Sequence, residues 1–181
     1  MDPDTLTFRD ATPADVDAVV ALVESAYRGD TSRRGWTTEA DLLDGRRTDA
    51  AGVAAIVADP HAAVLLAEDA DGLLACCELR PAEAGAYFGM FAVDPGRQGR
   101  GVGRRLLAHA DAEAVRRHGA GALEMTVIVQ RTDLIAWYLR LGFAATGERK
   151  PFPHGDERFG RPRRDDLEFV VLRRATTAPP A

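Results

Sequence analysis

The chain has 181 residues, 46% of them apolar, and its 23 basic and 28 acidic side chains leave a formal charge of −5. That length suits one domain with its own core, residues 1–174, and a short flexible tail at 175–181. No apolar run is long enough to cross a membrane, and an acidic chain argues against nucleic acid as the main partner.

The acidic start MDPDTLTFRD has no hydrophobic signal segment, so the expected location is the cytoplasm. Leu6–Arg9 forms a short strand. Thr12 then caps a helix whose first position is Pro13. Val16, Val19, Val20 and Val23 share one face of it, and it ends near Tyr27, before Gly29. A second helical segment is expected to start at Trp36-Thr37-Thr38-Glu39, bury Leu42 and Leu43, and stop near Gly45; a third helical turn covers Gly52–Ala58.

Ala63–Glu68 and Leu73–Arg80, separated by Asp-Ala-Asp-Gly, form a hairpin, and Ala86–Val93 returns beside it. Cys76 and Cys77 are neighbours in this hairpin, so they point to opposite faces and cannot close a disulfide. They serve packing. His61, His109, His118 and His154 have no metal-ligand spacing, and no metal is expected. The helix Val102–His118 places Val102, Leu106, Ala110 and Ala114 on one face and stops at Gly119. Strand Ala122–Val129, helix Leu134–Phe143, strand Ala144–Gly147 and strand Leu167–Arg173 complete an α/β sandwich with a mixed sheet. A connection of nineteen residues, Glu148–Asp166, separates the last two strands, longer than a strand turn requires.

The densest chemistry lies in GMFAVDPGRQGRGVGRRLL, Gly89–Leu107. Gly99, Gly101 and Gly103 clear side chains from a strand-to-helix junction, so backbone N–H groups can converge on phosphate oxygens at the positive end of the helix. Arg97, Arg100, Arg104 and Arg105 surround it. The chain's only lysine, Lys150, is far downstream, which argues against a P-loop; Leu106 or Arg104 occupies the third glycine position of a dinucleotide fingerprint, which argues against a Rossmann site.

Gln98-x-x-Gly101-x-Gly103 resembles motif A of the GCN5-related N-acetyltransferases, the GNAT superfamily. Tyr87–Val93 resembles that family's fourth strand, Ala122–Val129 its fifth, and LIAWYLRLGF at Leu134–Phe143 its motif B, so the likeness runs from about Ala86 to Gly147. The resemblance implies a mostly antiparallel mixed sheet of six to seven strands flanked by helices. It also implies acetyl-coenzyme A as cofactor, with its pyrophosphate on Gln98, Gly99, Arg100, Gly101, Val102, Gly103 and Arg104. Its pantetheine arm would lie along the backbone of Met90, Phe91 and Val93.

Tyr138 occupies the position at which many members carry a tyrosine that protonates the departing thiolate. A phenol keeps its proton at neutral pH and can give it up to a nearby thiolate. The glutamate that many members place on the fourth strand is replaced by Tyr87 and Phe88; Glu78 is the favoured general base, with Glu124 the other strand-borne carboxylate. Arg131 stands where members often have asparagine, and it could recognise an acidic acceptor.

Tyr27, Trp36, Glu39 and Phe152 are candidates for the acceptor pocket, where Glu39 or Asp41 would attract a cationic amine. The Glu148–Asp166 connection would shape that pocket, with Arg161, Arg163 and Arg164 against an anionic part of the acceptor. The expectation is direct acetyl transfer to the primary amine of a small molecule or peptide, and a homodimer is in keeping with the family. The rival readings are an acyl-CoA-binding regulatory domain without turnover and, more remotely, a nucleic-acid module resting on the Arg158–Arg164 cluster.

Overall fold

The computed structural model describes residues 5–35, 38–156 and 159–177. Thr12 starts the first helical segment as its sequence dictates: its backbone N–H donates to the Asp15 carboxylate at 2.7 Å, and Pro13 takes the first turn. Before it lies β1 (Thr7–Asp10); after it come α1 (Val16–Tyr27), a single turn α2 (Gly29–Ser32), β2 (Leu43–Asp44) and α3 (Ala50–Ala58), capped by the Asp49 carboxylate on the Gly52 N–H. The chain continues through β3 (Ala63–Asp69), β4 (Gly72–Ala82), β5 (Gly85–Val93), α4 (Val102–His118), β6 (Ala122–Ile128), α5 (Thr132–Arg140), β7 (Ala144–Pro151), β8 (Arg161–Pro162) and β9 (Glu168–Ala175).

Seven of these strands form one sheet in the order β1-β3-β4-β5-β6-β9-β7, every pair antiparallel except β5–β6. Strand alternation divides its side chains between two cores. Leu65, Ala67, Cys77 and Leu79 pack with α4 and α5, while Val64, Leu66 and Cys76 pack with α1 and α3. The adjacent cysteines thus lie on opposite faces, both fully buried. Among the described residues no helix is long and apolar enough to cross a membrane.

Two irregularities open the sheet at its centre. β5 and β6 pair only at Ala86–Leu123 and Tyr87–Glu124, then separate. Beyond that point β5 carries a bulge: Met90 and Phe91 together oppose Cys77, with Met90 in the left-handed region at φ 46°. Where the strands still touch, a Cβ on Gly85 would come within 2.3 Å of the Ala122 carbonyl oxygen, so only glycine fits.

The segment expected to be a second helix is not one. Thr38 Oγ1 accepts from the Ala40 N–H, which favours a local turn, and Leu43–Asp44 then pairs with Arg161–Pro162 as a separate two-stranded sheet. β7 runs to Pro151, four residues past its expected end at Gly147, and the long connection is correspondingly shorter. The C-terminal residues to Thr177 are tied down. Thr177 N–H donates to the buried Asp111 carboxylate at 2.8 Å, and Thr176 Oγ1 donates to the Ala120 carbonyl at 2.9 Å.

Candidate functional site

Gly99 and Gly101 both adopt left-handed backbone, at φ 82° and 77°, and an added Cβ at either would meet nothing within 4 Å. Their backbone therefore faces open space. Gly101 is also the N-cap of α4, a seventeen-residue helix with no acidic side chain in its first turn. The positive helix end, the glycine-cleared backbone and Arg104 together make a surface suited to an anion. It lines a groove of about 430 Å³ that runs past Phe91 and Val93 to Trp137 and Tyr138.

Gly103 has a different task. A Cβ there would sit 3.0 Å from the Phe91 ring and 3.4 Å from Val93, so its bareness lets α4 lie against β5. Gln98 seals the same corner, donating from Nε2 to the Val93 carbonyl at 3.2 Å.

A second cavity of about 100 Å³ occupies the gap between β5 and β6 on the α1 side. It shares Tyr27, Phe91, Leu134 and Tyr138 with the groove, so these four side chains form the boundary between the two spaces. Tyr138 is buried within an aromatic group, its ring 5.0 Å from Trp137 and 5.5 Å from Phe143. Burial pushes its phenol well above the ordinary value. The Tyr27 hydroxyl donates to the Phe91 carbonyl on the bulge, and burial pushes Tyr27 up to about 12 against the pull of Arg131 and Arg47.

Glu39 is a buried carboxylate enclosed by arginines. Arg28 Nη1 donates to its Oε2 at 2.6 Å, Arg131 Nη1 donates to its Oε1 at 3.0 Å, and Arg47 Nε lies 3.9 Å away. Burial alone would raise its pKa; the guanidiniums of Arg131, Arg47 and Arg28 outweigh that and hold it below the ordinary carboxylate range. Arg47 and Arg131 also lie against the Tyr27 ring, 5.3 and 5.6 Å from its centroid.

Of the residues expected at the cofactor, Phe91, Val93, Gln98, Gly99 and Gly101–Arg104 line the groove. Met90 lines the neighbouring cavity instead, and Arg100 is exposed outside both walls. Tyr27, Glu39 and Phe152 meet in the second cavity; Trp36 lies outside the described residues. Glu78 stands opposite Gly89 in the register, takes a hydrogen bond from Arg80 at 3.1 Å, and belongs to neither cavity wall. Burial raises its pKa, with Arg80 and Arg47 opposing.

The expected arginine cluster does not reach either cavity. Arg163 pairs with Asp44 at 2.8 Å and Arg164 with Asp166, and Arg161 is exposed. Arg158 lies outside the described residues. Arg47 and Tyr87, by contrast, line the second cavity without having been singled out as acceptor-site residues in the sequence. Arg47 sits in a charged loop that carries no motif. In the sequence Tyr87 is notable only as standing where many members carry a glutamate; its ring lies over Gly89, where a Cβ would come within 2.3 Å of it.

Residues 60–145 match the acetyltransferase (GNAT) domain family. No curated protein sequence matches the chain. Among solved structures, the ribosomal-protein-S18-alanine N-acetyltransferase of Escherichia coli superposes with a TM-score of 0.69 at 18% identity, covering 97% of each chain. A spermidine N-acetyltransferase SpeG chimera from Vibrio cholerae and hSSAT gives 0.68 at 16% identity, over 96% of this chain and 97% of that one. The yncA protein of Salmonella typhimurium, solved with its cofactor acetyl-CoA, gives 0.66 at 22% identity over 98% of each. At these identities the likeness is one of fold.

Proposed function

We propose that this chain, whose residues 60–145 match the acetyltransferase (GNAT) domain family, moves an acetyl group from acetyl-CoA directly to the primary amine of a small molecule or peptide. The observation that carries this reading is the shared wall. A groove ending at Tyr138 and a cavity beginning at Tyr138 allow donor and acceptor to enter from opposite sides and meet there.

The glycine-cleared backbone and Arg104 fit a pyrophosphate, and the separation of β5 from β6 suits an extended arm lying along β5. When bound, acetyl-CoA supplies a thioester whose acetyl carbon bonds to the amine nitrogen as its carbon–sulfur bond breaks. Backbone N–H groups at the Met90–Phe91 bulge orient the carbonyl. Tyr138 holds a proton on Oη for the leaving sulfur, and its burial keeps that proton in place up to high pH. Glu78, with its raised proton affinity and its place opposite Gly89 of the cavity wall, takes the amine proton through water. Neither buried cysteine is suited to a covalent route: burial pushes Cys76 up to about 12 and Cys77 well above its ordinary value.

The test is thiol release from acetyl-CoA across a broad panel of amines. Turnover is expected with at least one amine, and Tyr138→Phe is expected to lower kcat by about 10²-fold with little change in cofactor affinity. Silence across the panel would favour an acyl-CoA-binding domain without turnover; a normal kcat in the variant would return Tyr138 to packing.

A further inference from the structure

We propose, resting on the transfer reading above, that the Tyr87 hydroxyl is the group in the second cavity that takes the proton from the acceptor's ammonium and passes its own, through one water, to Glu78. The need for such a group comes from the position of Glu78. Its side chain is only 15% exposed and belongs to neither cavity wall, whereas Tyr87 and Gly89 both line the second cavity. Glu78 pairs with Gly89 and Arg80 with Tyr87 in the antiparallel β4–β5 ladder, so these four residues share one face of the sheet. On that face the Tyr87 ring folds over Gly89, and its hydroxyl oxygen stands 2.8 Å from the point that a Cβ of residue 89 would occupy. That point faces Glu78. Facing Cβ positions across such a pair lie about 4.5–5.5 Å apart, a gap that a glutamate side chain and one water bridge.

The neighbours leave this hydroxyl open to a ligand. Among the described residues it has no hydrogen-bond partner, while the Tyr27 hydroxyl is committed to the Phe91 carbonyl. Arg80 lies 4.2 Å over the Tyr87 ring and donates to Glu78 Oε1 at 3.1 Å, so one guanidinium touches both members of the path. Three further charged groups face them. Arg47, in the loop before α3, acts on Tyr87 and Glu78 by its charge. Glu39 is held by Arg28 and Arg131. Glu124 pairs with Tyr87 across β5–β6, but its Oε2 takes a hydrogen bond from Arg173 at 2.6 Å. The Tyr87 ring carries its hydroxyl along β5 from that pairing to where the two strands have separated, and so toward Glu78.

The transfer balances without altering Tyr87. An ammonium proton moves to Oη as the Oη proton moves to the water and a water proton to the Glu78 carboxylate. The amine is left neutral, Glu78 is left protonated, and the phenol ends as it began. Burial raises the affinity of Glu78 for that proton, against Arg80 and Arg47. The path also accounts for the glycine at 89, since any Cβ there would fall 2.3 Å from the Tyr87 ring and expel the hydroxyl from its place.

The test follows thiol release by the full chain across a range of pH, with the amine of the panel that gives the highest kcat/KM. In the wild type kcat/KM is expected to be level between the titration of Glu78 and that of the amine itself, because the enzyme removes the ammonium proton. Tyr87→Phe keeps the ring beneath Arg80. It is expected to lower kcat/KM by about 10²-fold near neutrality and to make it climb about tenfold per pH unit over the same span, since only amine already neutral in solution then reacts. Acetyl-CoA affinity should not change. Glu78→Gln should give the same profile, and the double variant should be no slower than either single one, as two groups in one path require. A profile that is lowered but still level, losses that multiply in the double variant, or a wild-type rate in either single variant would overturn the relay and leave acetyl transfer intact. If no amine releases thiol, the transfer reading fails instead, and NMR of the Glu78 carboxyl carbon in CoA-loaded protein judges the link alone. A titration midpoint that rises in Tyr87→Phe supports it, because a donor to the ionised carboxylate has been removed; an unmoved midpoint overturns it.

Discussion

The Tyr27 hydroxyl donates to the carbonyl of Phe91, joining the end of α1 to the bulge in β5. That single contact lies at the boundary between groove and cavity, and it holds a backbone segment that has left the regular strand ladder. A bulge leaves a carbonyl without its ladder partner, and a buried carbonyl without a partner is costly. The tyrosine supplies the missing donor from a different element.

Tyr27→Phe keeps the ring, and with it the stacking of Arg47 and Arg131, but removes the donor. Chemical denaturation is expected to show a loss of about 1–3 kcal/mol, the cost of leaving a buried acceptor unsatisfied. Unchanged stability would mean that water takes over the bond.

Glu39→Gln takes the carboxylate out of the buried ion pairs with Arg28 and Arg131, and the expected loss is about 3–5 kcal/mol. The pH dependence follows from the direction of the shift. Glu39 is held below its ordinary value in the folded protein, so its stabilisation is present above the ordinary value of 4.5 and fades as pH falls through the lower folded one. The difference between wild type and variant should therefore be flat near neutrality and shrink in acid. Urea titrations at a series of pH values would reveal it; a difference that persists undiminished at low pH would contradict the ion-pair account.

The two loop glycines should fail differently. Gly101→Glu puts a side chain and a negative charge into open space before the groove, and calorimetry is expected to show acetyl-CoA affinity reduced by at least about tenfold in a folded protein. Gly103→Ala pushes against the Phe91 ring, so its first effect should be on stability, about 1–3 kcal/mol by overpacking. The reverse pattern would exchange their roles.

What could be read from the sequence was local. Val102–His118 begins and ends where its glycines and its apolar spacing put it, because both signals lie within the helix itself. The glycine turn before that helix and the opposite facing of Cys76 and Cys77 were legible for the same reason. Leu42–Gly45 was not, since its strand depends on Arg161–Pro162, more than a hundred residues away. β7 was cut short because all of its residues are exposed at the sheet edge, where no apolar alternation marks a strand. Glu39 was read as an attractant for cations. Its actual surroundings, Arg28, Arg47 and Arg131, converge on it only in three dimensions and engage the carboxylate that was expected to face an amine.

Cys76 and Cys77 are chemically identical neighbours, each sealed beneath a different layer of helices. A reagent that reaches Cys76 alone reports that α1 and α3 have lifted, and one that reaches Cys77 alone reports the loosening of α4 and α5. Simultaneous labelling requires both coverings to part. The chain thus contains its own pair of local gauges, able to tell a partial opening of either side from unfolding of the whole.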